Sequence, residues 1–282
     1  MVVTTSRQAT PEQERLAREL AARLGLEFRQ RRGAWRQLGA SAALVVTRER
    51  LVIQSPAGEI FFHPGMARPR IRQLERGKPD VMVEAMDLGP KDSVLDCTLG
   101  LGADAIVASY VVGEAGRVVG LETVPVLAEL VRRGFREHDP GHAGTRAAMR
   151  RIEVVTADFR DYLAQLPAGS FDVVYFDPMF RDPVMESASM RPWRELACHR
   201  PLSPEDIALA RRVARRRVVV KERACSPVFE ELGLSTVTGG RRSRVAYGAV
   251  PGLGTVSACR AGSEAGRASE HGAPGSREGA RS

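Results

Sequence analysis

The chain has 282 residues, with 42 Lys+Arg against 34 Asp+Glu, for a formal net charge of +8. At 43% apolar it is too hydrophobic for wholesale disorder, and it has no run near the roughly 18 apolar residues that a membrane span needs. Cys97, Cys198, Cys225 and Cys259 lie far apart and no basic-then-apolar leader is evident, so neither zinc nor disulfides are expected, and a cytoplasmic protein without membrane or metal partners is.

In chain order, residues 1–65 predict a small α+β module. Leu16, Leu20 and Leu24 recur at helical spacing within Pro11–Leu24, and Gly25 supplies a stop. The runs Ala43–Thr47, Arg50–Gln54 and Glu59–His63 read as strands, the last after a Ser55-Pro56-Ala57-Gly58 turn.

From Ser93 the period changes. Apolar runs at Ser93–Cys97, Arg117–Leu121, Ile152–Thr156, Phe171–Phe176, Arg217–Lys221 and Arg244–Val250 alternate with helical segments such as Val124–Glu137 and Ser203–Ala214. Such alternation predicts βαβ units, an α/β fold and a mostly parallel sheet.

The first of these strands runs into Asp96-Cys97-Thr98-Leu99-Gly100-Leu101-Gly102, with a helix expected from Ala103. Gly100 and Gly102 let backbone approach a ligand closely. Glu122 ends the second strand, where an acid accepts hydrogen bonds from ribose hydroxyls. A nicotinamide dinucleotide wants a third glycine and a helix N-terminus free for pyrophosphate. Here that glycine's place is held by Ala105, and Asp104 puts a negative charge in the first turn. The pattern suits a ligand bearing an amine and a sulfonium, S-adenosylmethionine. Asp158, after the third strand, is placed to hold an adenine amino group.

The fourth strand ends in Asp177-Pro178-Met179-Phe180. This resembles the Asp/Asn-Pro-Pro-aromatic signature of methyltransferases that act on amino groups. A delocalised exocyclic amine is a poor nucleophile. Asp177 and the Pro178 carbonyl can accept its two hydrogens and aim its lone pair, while Phe180 stacks on the base. Alignment supplies most of the acceleration, because the donor is already activated.

Basic residues give candidate RNA contacts: Arg181 and Arg191 beyond the catalytic motif, Lys221 at the end of the fifth strand, and Arg241 and Arg242 before the last. Arg211, Arg212 and Arg215–Arg217 read equally as phosphate contacts or as a solvated face. From Pro251 the composition turns small and polar, which predicts a disordered tail over 251–282.

Taken together, Gly65-Met66-Ala67-Arg68, the Asp96–Asp104 turn, Asp177-Pro178-Met179-Phe180, Met190-Arg191 and Arg217-Val218-Val219-Val220-Lys221 resemble the ribosomal RNA small subunit methyltransferase J family. The resemblance implies a class I, Rossmann-like methyltransferase domain over 66–250, with seven strands ordered 3-2-1-4-5-7-6 and the seventh antiparallel. It implies S-adenosylmethionine as cofactor, bound at Ala103, Asp104, Glu122, Thr123, Asp158, Phe159 and Asp177. It also implies 16S rRNA or the small ribosomal subunit as partner, and methylation of a guanosine N2 amine. The chain departs from the family pattern at Ala103 (usually Arg), Arg181 (usually Pro) and Asp158-Phe159 (usually two Ser), which leaves the target open. Alternatives are an amino-group methyltransferase for other RNA, DNA, protein or a small molecule, and a non-catalytic RNA-binding factor with the same fold.

Overall fold

A computed structural model describes residues 1–31, 33–178, 200–240 and 243–254. Two sheets organise it. The first has five strands in the order β2-β1-β3-β4-β5: β1 (Val2–Thr5), β2 (Glu27–Phe28), β3 (Ala43–Val46), β4 (Leu51–Ser55) and β5 (Gly58–Phe61). Strand β1 runs parallel to both β2 and β3, and β3-β4-β5 form an antiparallel meander. Helix α1 (Pro11–Leu24) is started by a capping box between Thr10 and Gln13 and ended by Gly25 in the left-handed region.

The second sheet has seven strands: β6 (Ser93–Asp96), β7 (Arg117–Glu122), β8 (Glu153–Thr156), β9 (Phe171–Phe176), β10 (Ala214–Arg223), β11 (Thr236–Gly239) and β12 (Val245–Pro251). Their order is β11-β12-β10-β9-β6-β7-β8. Pairing is parallel from β8 through β10 and antiparallel between β10 and β12. Read from the β8 edge, this is the expected 3-2-1-4-5-7-6 order with its antiparallel seventh strand.

Successive strand residues alternate between two apolar clusters. Val94, Val118, Val173, Tyr175 and Val219 face one; Leu95, Val119, Val174, Phe176, Val218 and Val220 face the other. A sheet covered on both faces needs the unbroken apolar runs seen in the sequence. The first cluster is roofed by α2 (Ala67–Glu75), α3 (Val81–Met86), α4 (Ala103–Val112), α5 (Pro125–Glu137) and α6 (Ala143–Arg151). The second is roofed by α7 (Phe159–Gln165), α8 (Pro204–Val213) and α9 (Val228–Glu231). Each fully buried Val or Phe contributes roughly 1.5–3 kcal/mol relative to exposure.

The first cluster continues into the N-terminal sheet through Val3, Leu44, Ile53 and Ile60, with Leu20 of α1 and Phe62 just after β5. Phe62 meets Phe135 of α5 edge-on, with centroids 5.5 Å apart. Arg23 of α1 donates to buried Glu129 of α5 at 2.5 Å. No helix among the described residues is long and apolar enough to cross a membrane, and none of their His, Cys, Asp and Glu side chains group into a metal-holding set.

Candidate active site

The chain turns from β6 out to β7 and β8, then returns to lay β9 on the other side of β6. Ligands of open α/β sheets bind in the crevice that opens at the carboxyl ends of the strands at such a reversal. Four acids converge there: Asp96 ends β6, Glu122 ends β7, Asp158 precedes α7, and Asp177 follows β9.

The glycine turn is pinned on both sides. Leu99 N–H donates to the Leu121 carbonyl at 2.9 Å, Cys97 N–H to the Tyr175 carbonyl at 2.9 Å, and Asp177 N–H to Thr98 Oγ1 at 2.5 Å. Gly102 caps α4 at φ +76, and a Cβ there would meet the Phe135 ring at 2.4 Å. Gly100 has φ +51, and the nearest atom to an added Cβ would be Thr98 O at 4.0 Å, so no side chain crowds it, and its N–H bonds the Glu122 carboxylate.

Glu122 Oε1 accepts Val124 N–H at 2.9 Å, and partial burial raises its pKa. Thr123 is exposed beside it, with its hydroxyl 3.4 Å from the Ala157 carbonyl. Asp158 caps α7 through Arg160 N–H at 2.8 Å, and Phe159 packs edge-on against Phe176. Asp96 is almost fully buried and accepts Thr98 N–H at 3.0 Å. Burial pushes its carboxyl up to about 8, with that N–H opposing the shift.

Asp104 and Lys221 are both partnered inside the protein. Asp104 Oδ1 accepts from Arg70 Nη1, and its Oδ2 accepts from Tyr175 OH at 2.8 Å and Lys221 Nζ at 2.9 Å. Lys221 also reaches Asp177 Oδ2 at 2.7 Å. Burial works against ionising Asp104, but Lys221 and Arg70 outweigh it and hold its carboxyl at about 2. Burial pushes Asp177 up to about 6; Lys221 opposes and the Asp104 charge adds. Arg70 and Tyr175 were invisible as site residues in the sequence. The only signal was a tyrosine in the apolar stretch that follows Asp172 of β9, whose hydroxyl needs a partner when buried.

Phe180, Arg181, Arg191, Arg241 and Arg242 lie outside the described residues. The arginines at the end of α8 and the start of β10 are taken up by protein partners. Arg215 pairs with Asp172 at 2.9 Å, Arg216 with Asp92 at 2.6 Å and Arg217 with Asp87 at 3.3 Å, while Arg212 donates to the Leu163 and Leu166 carbonyls. Arg215–Arg217 lie in the first half of β10, at the opposite end of the sheet from Asp177.

The crevice therefore offers an uncrowded Gly100 and carboxylates at the ends of neighbouring strands, with acidic Asp104 in the first turn of α4. The strand-end carboxylates fit ribose hydroxyls and an adenine amine, and the acid at the start of α4 does not fit a pyrophosphate.

Comparison with known proteins agrees with this geometry. Residues 20–246 match the family model described as "Putative SAM-dependent methyltransferase". The chain is 44% identical over 195 residues to the uncharacterized protein YpiP of Bacillus subtilis (strain 168), covering 69% of this chain and 76% of that one. It is 32% identical over 258 residues to the ribosomal RNA small subunit methyltransferase J of Chromobacterium violaceum, covering 86% and 95%. A crystal structure of a SAM-dependent methyltransferase from Neisseria gonorrhoeae shares the fold, with a TM-score of 0.60 at 17% identity over 91% of this chain and 98% of that one. The family match makes the protein a methyltransferase, and the sheet gives it the Rossmann-like core of class I. It belongs to the SAM-dependent methyltransferase family that includes the ribosomal RNA small subunit methyltransferase J proteins, and its cofactor is S-adenosylmethionine.

Proposed function

We propose that this methyltransferase acts on the exocyclic N2 amine of a guanosine in small-subunit (16S) rRNA. The observation that carries this reading is the placement of Asp177-Pro178 at the tip of β9, tied by Asp177 N–H to Thr98 of the glycine turn. An amine held there lies against the donor crevice. Glu122 would take the ribose hydroxyls, Asp158 and Phe159 the adenine, and Gly100, Gly102 and Ala103 the backbone side of the donor, with Thr123 at the rim. When bound, S-adenosylmethionine supplies a methyl on a sulfonium, whose S–C bond breaks with its electrons left on sulfur as the N–C bond forms. Asp177 Oδ1 and the Pro178 carbonyl accept the two amine hydrogens and direct the nitrogen lone pair at the methyl. The methylated nitrogen then sheds its extra proton to solvent, so no strong base is needed. Phe180 would stack on the base, with Arg181, Arg191, Arg241 and Arg242 around the target nucleotide.

RNA as the substrate is supported by the names of the methyltransferase J relatives and by one surface. A cavity of about 520 Å³ is lined by Pro64, Gly65, Arg68, Pro69, Arg72, His138, Asp139 and Pro140. Arg68 and Arg72 make no ion pair or hydrogen bond among the described residues. A Cβ on Gly65 would lie 3.6 Å from the Ala103 methyl, so this basic cavity borders the glycine turn. Free guanidinium groups there suit backbone phosphates. A base must be unstacked to reach a crevice of this kind, so the target is a loop or flipped nucleotide.

The test is nucleoside mass spectrometry of small-subunit rRNA from a deletion strain and from the same RNA after incubation with purified protein and donor. An N2-methylguanosine lost on deletion and restored in vitro is the expected result. Methyl on another nucleotide, on DNA or on protein would overturn the assignment.

A further inference from the structure

Five charged side chains alternate from the segment before the seven-stranded sheet to the tip of β9. Asp80 caps α3 through the N–H groups of Met82 and Val83, at 3.1 and 3.2 Å. Arg70 of α2 grips the same carboxylate with two donors, Nε at 2.7 Å and Nη2 at 2.8 Å. Its remaining nitrogen, Nη1, reaches Asp104 of α4. Asp104 binds Lys221 of β10, and Lys221 binds Asp177. All five belong to different elements, and the three central side chains are at most a fifth exposed.

From this we infer that Lys221, held by Asp104 and Arg70, is a positioning residue that fixes the rotation of the Asp177 carboxylate, and that Asp104 serves this chain in preference to the donor. Both Asp104 oxygens already accept from protein groups. A donor amine would have to displace Arg70 or Lys221, leaving a mostly buried cation unpaired, which costs more than the exchanged contact returns. Lys221 Nζ on Oδ2 orients the carboxylate with Oδ1 as the oxygen for the target amine. The bidentate grip of Arg70 on a helix cap makes the far end of the chain rigid. Tyr175 OH, the third partner of Asp104, fixes it from β9 itself. The groups around Asp177 are Lys221 and Asp104, with the Tyr175 and Tyr247 hydroxyls and Asp96 beyond them.

This inference rests on the reading of Asp177 as the acceptor of the amine hydrogens. The experiment compares full-length wild type with Lys221→Gln, Lys221→Arg and Arg70→Lys. It measures S-adenosylmethionine affinity by calorimetry, single-turnover methylation of small-subunit RNA between about pH 5 and 9, and the 13C-carboxyl titration of Asp177, assigned with Asp177→Asn. Lys221→Gln is expected to keep donor affinity within about threefold, to slow methyl transfer about 100-fold, and to move the acid limb and the Asp177 titration to higher pH. Arg70→Lys should shift both in the same direction by less, and Lys221→Arg should restore most of the rate.

A tenfold or greater loss of donor affinity in Lys221→Gln, with the acid limb unmoved, would overturn the chain and return Asp104 and Lys221 to the donor site. So would a loss confined to RNA affinity. If wild type transfers no methyl to RNA, the RNA reading fails, and the Asp177 titration still decides the chain. If Lys221→Gln does not fold, Lys221→Arg and Arg70→Lys decide it: unchanged rates and titrations in both would refute it.

Discussion

Gly134 of α5 lies directly under the ring of Phe62, so close that a Cβ added to it would fall 2.0 Å from Phe62 Cγ. This contact joins the N-terminal sheet to the helix layer of the catalytic sheet, beside the edge-on Phe62–Phe135 pair. Gly134→Ala should therefore force the two layers apart and cost about 1–3 kcal/mol, seen as a lower denaturant midpoint. An unchanged midpoint would show that the layers slide freely.

Gly102 combines φ +76 with a Cβ position 2.4 Å from the Phe135 ring. Gly102→Ala meets both penalties and should destabilise by about 2–4 kcal/mol, with donor binding weakened as the turn shifts. Thermal melting with and without S-adenosylmethionine reads both effects. If the variant melts like wild type and is stabilised equally by donor, the turn is softer than its contacts imply.

Much of the catalytic sheet was legible in the sequence, because strands buried on both faces leave unbroken apolar runs and glycine turns leave Gly-x-Gly. Strand β1 was not. Its four residues are all buried, and four apolar or small residues carry neither an alternation nor enough length to declare a strand. Strand β11 was missed for the opposite reason: Thr236–Gly239 is a mostly exposed edge strand of polar character. At the site, the acids at strand ends could be placed from spacing alone. Arg70 could not, since its pairing with Asp104 depends on how α2 packs on α4. Lys221 was recognised as a charge at the carboxyl edge, but no pattern in the chain says that it faces two carboxylates.

Asp96 yields a prediction in pH. Its carboxyl is held up to about 8 in the folded chain, whereas an unfolded aspartate titrates near about 3.9. Above about pH 4 the unfolded state releases a proton that the folded state keeps. Stability from this group is thus complete below about pH 4 and declines as pH rises to about 8. Asp96→Asn keeps an oxygen for Thr98 N–H and removes the titration. Without donor, the variant should gain melting temperature relative to wild type as pH is raised from about 5 to 8. A gap that stays constant, or grows in favour of wild type, would mean that Asp96 is ionised in the fold.

Glu122 is read as the ribose-binding acid. Glu122→Gln retains an oxygen for Val124 N–H and loses the charge, so folding should change little. Donor affinity should fall about 10–100-fold, the worth of one or two charge-assisted hydrogen bonds. Calorimetry with S-adenosylmethionine checks this, and an unaltered affinity would move the ribose elsewhere.

Arg68→Glu with Arg72→Glu should weaken binding of small-subunit RNA fragments of any sequence and reduce the slope of log affinity against log salt by about 1 per residue. Donor affinity, set at the strand ends, should remain. A salt slope identical to wild type would take RNA off this surface.

The place of β1 within its sheet has a consequence for how the chain matures on the ribosome. Val2–Thr5 pairs with β2 on one side and β3 on the other, so both of its ladders wait on chain that is synthesised after it. It can pair with β2 once residue 28 is free, but its β3 ladder stays open until residue 46 has followed. Nascent strands in that position are prone to wrong pairing. Slowing translation downstream of β3 should lengthen that exposure and lower the yield of native protein without altering the finished molecule.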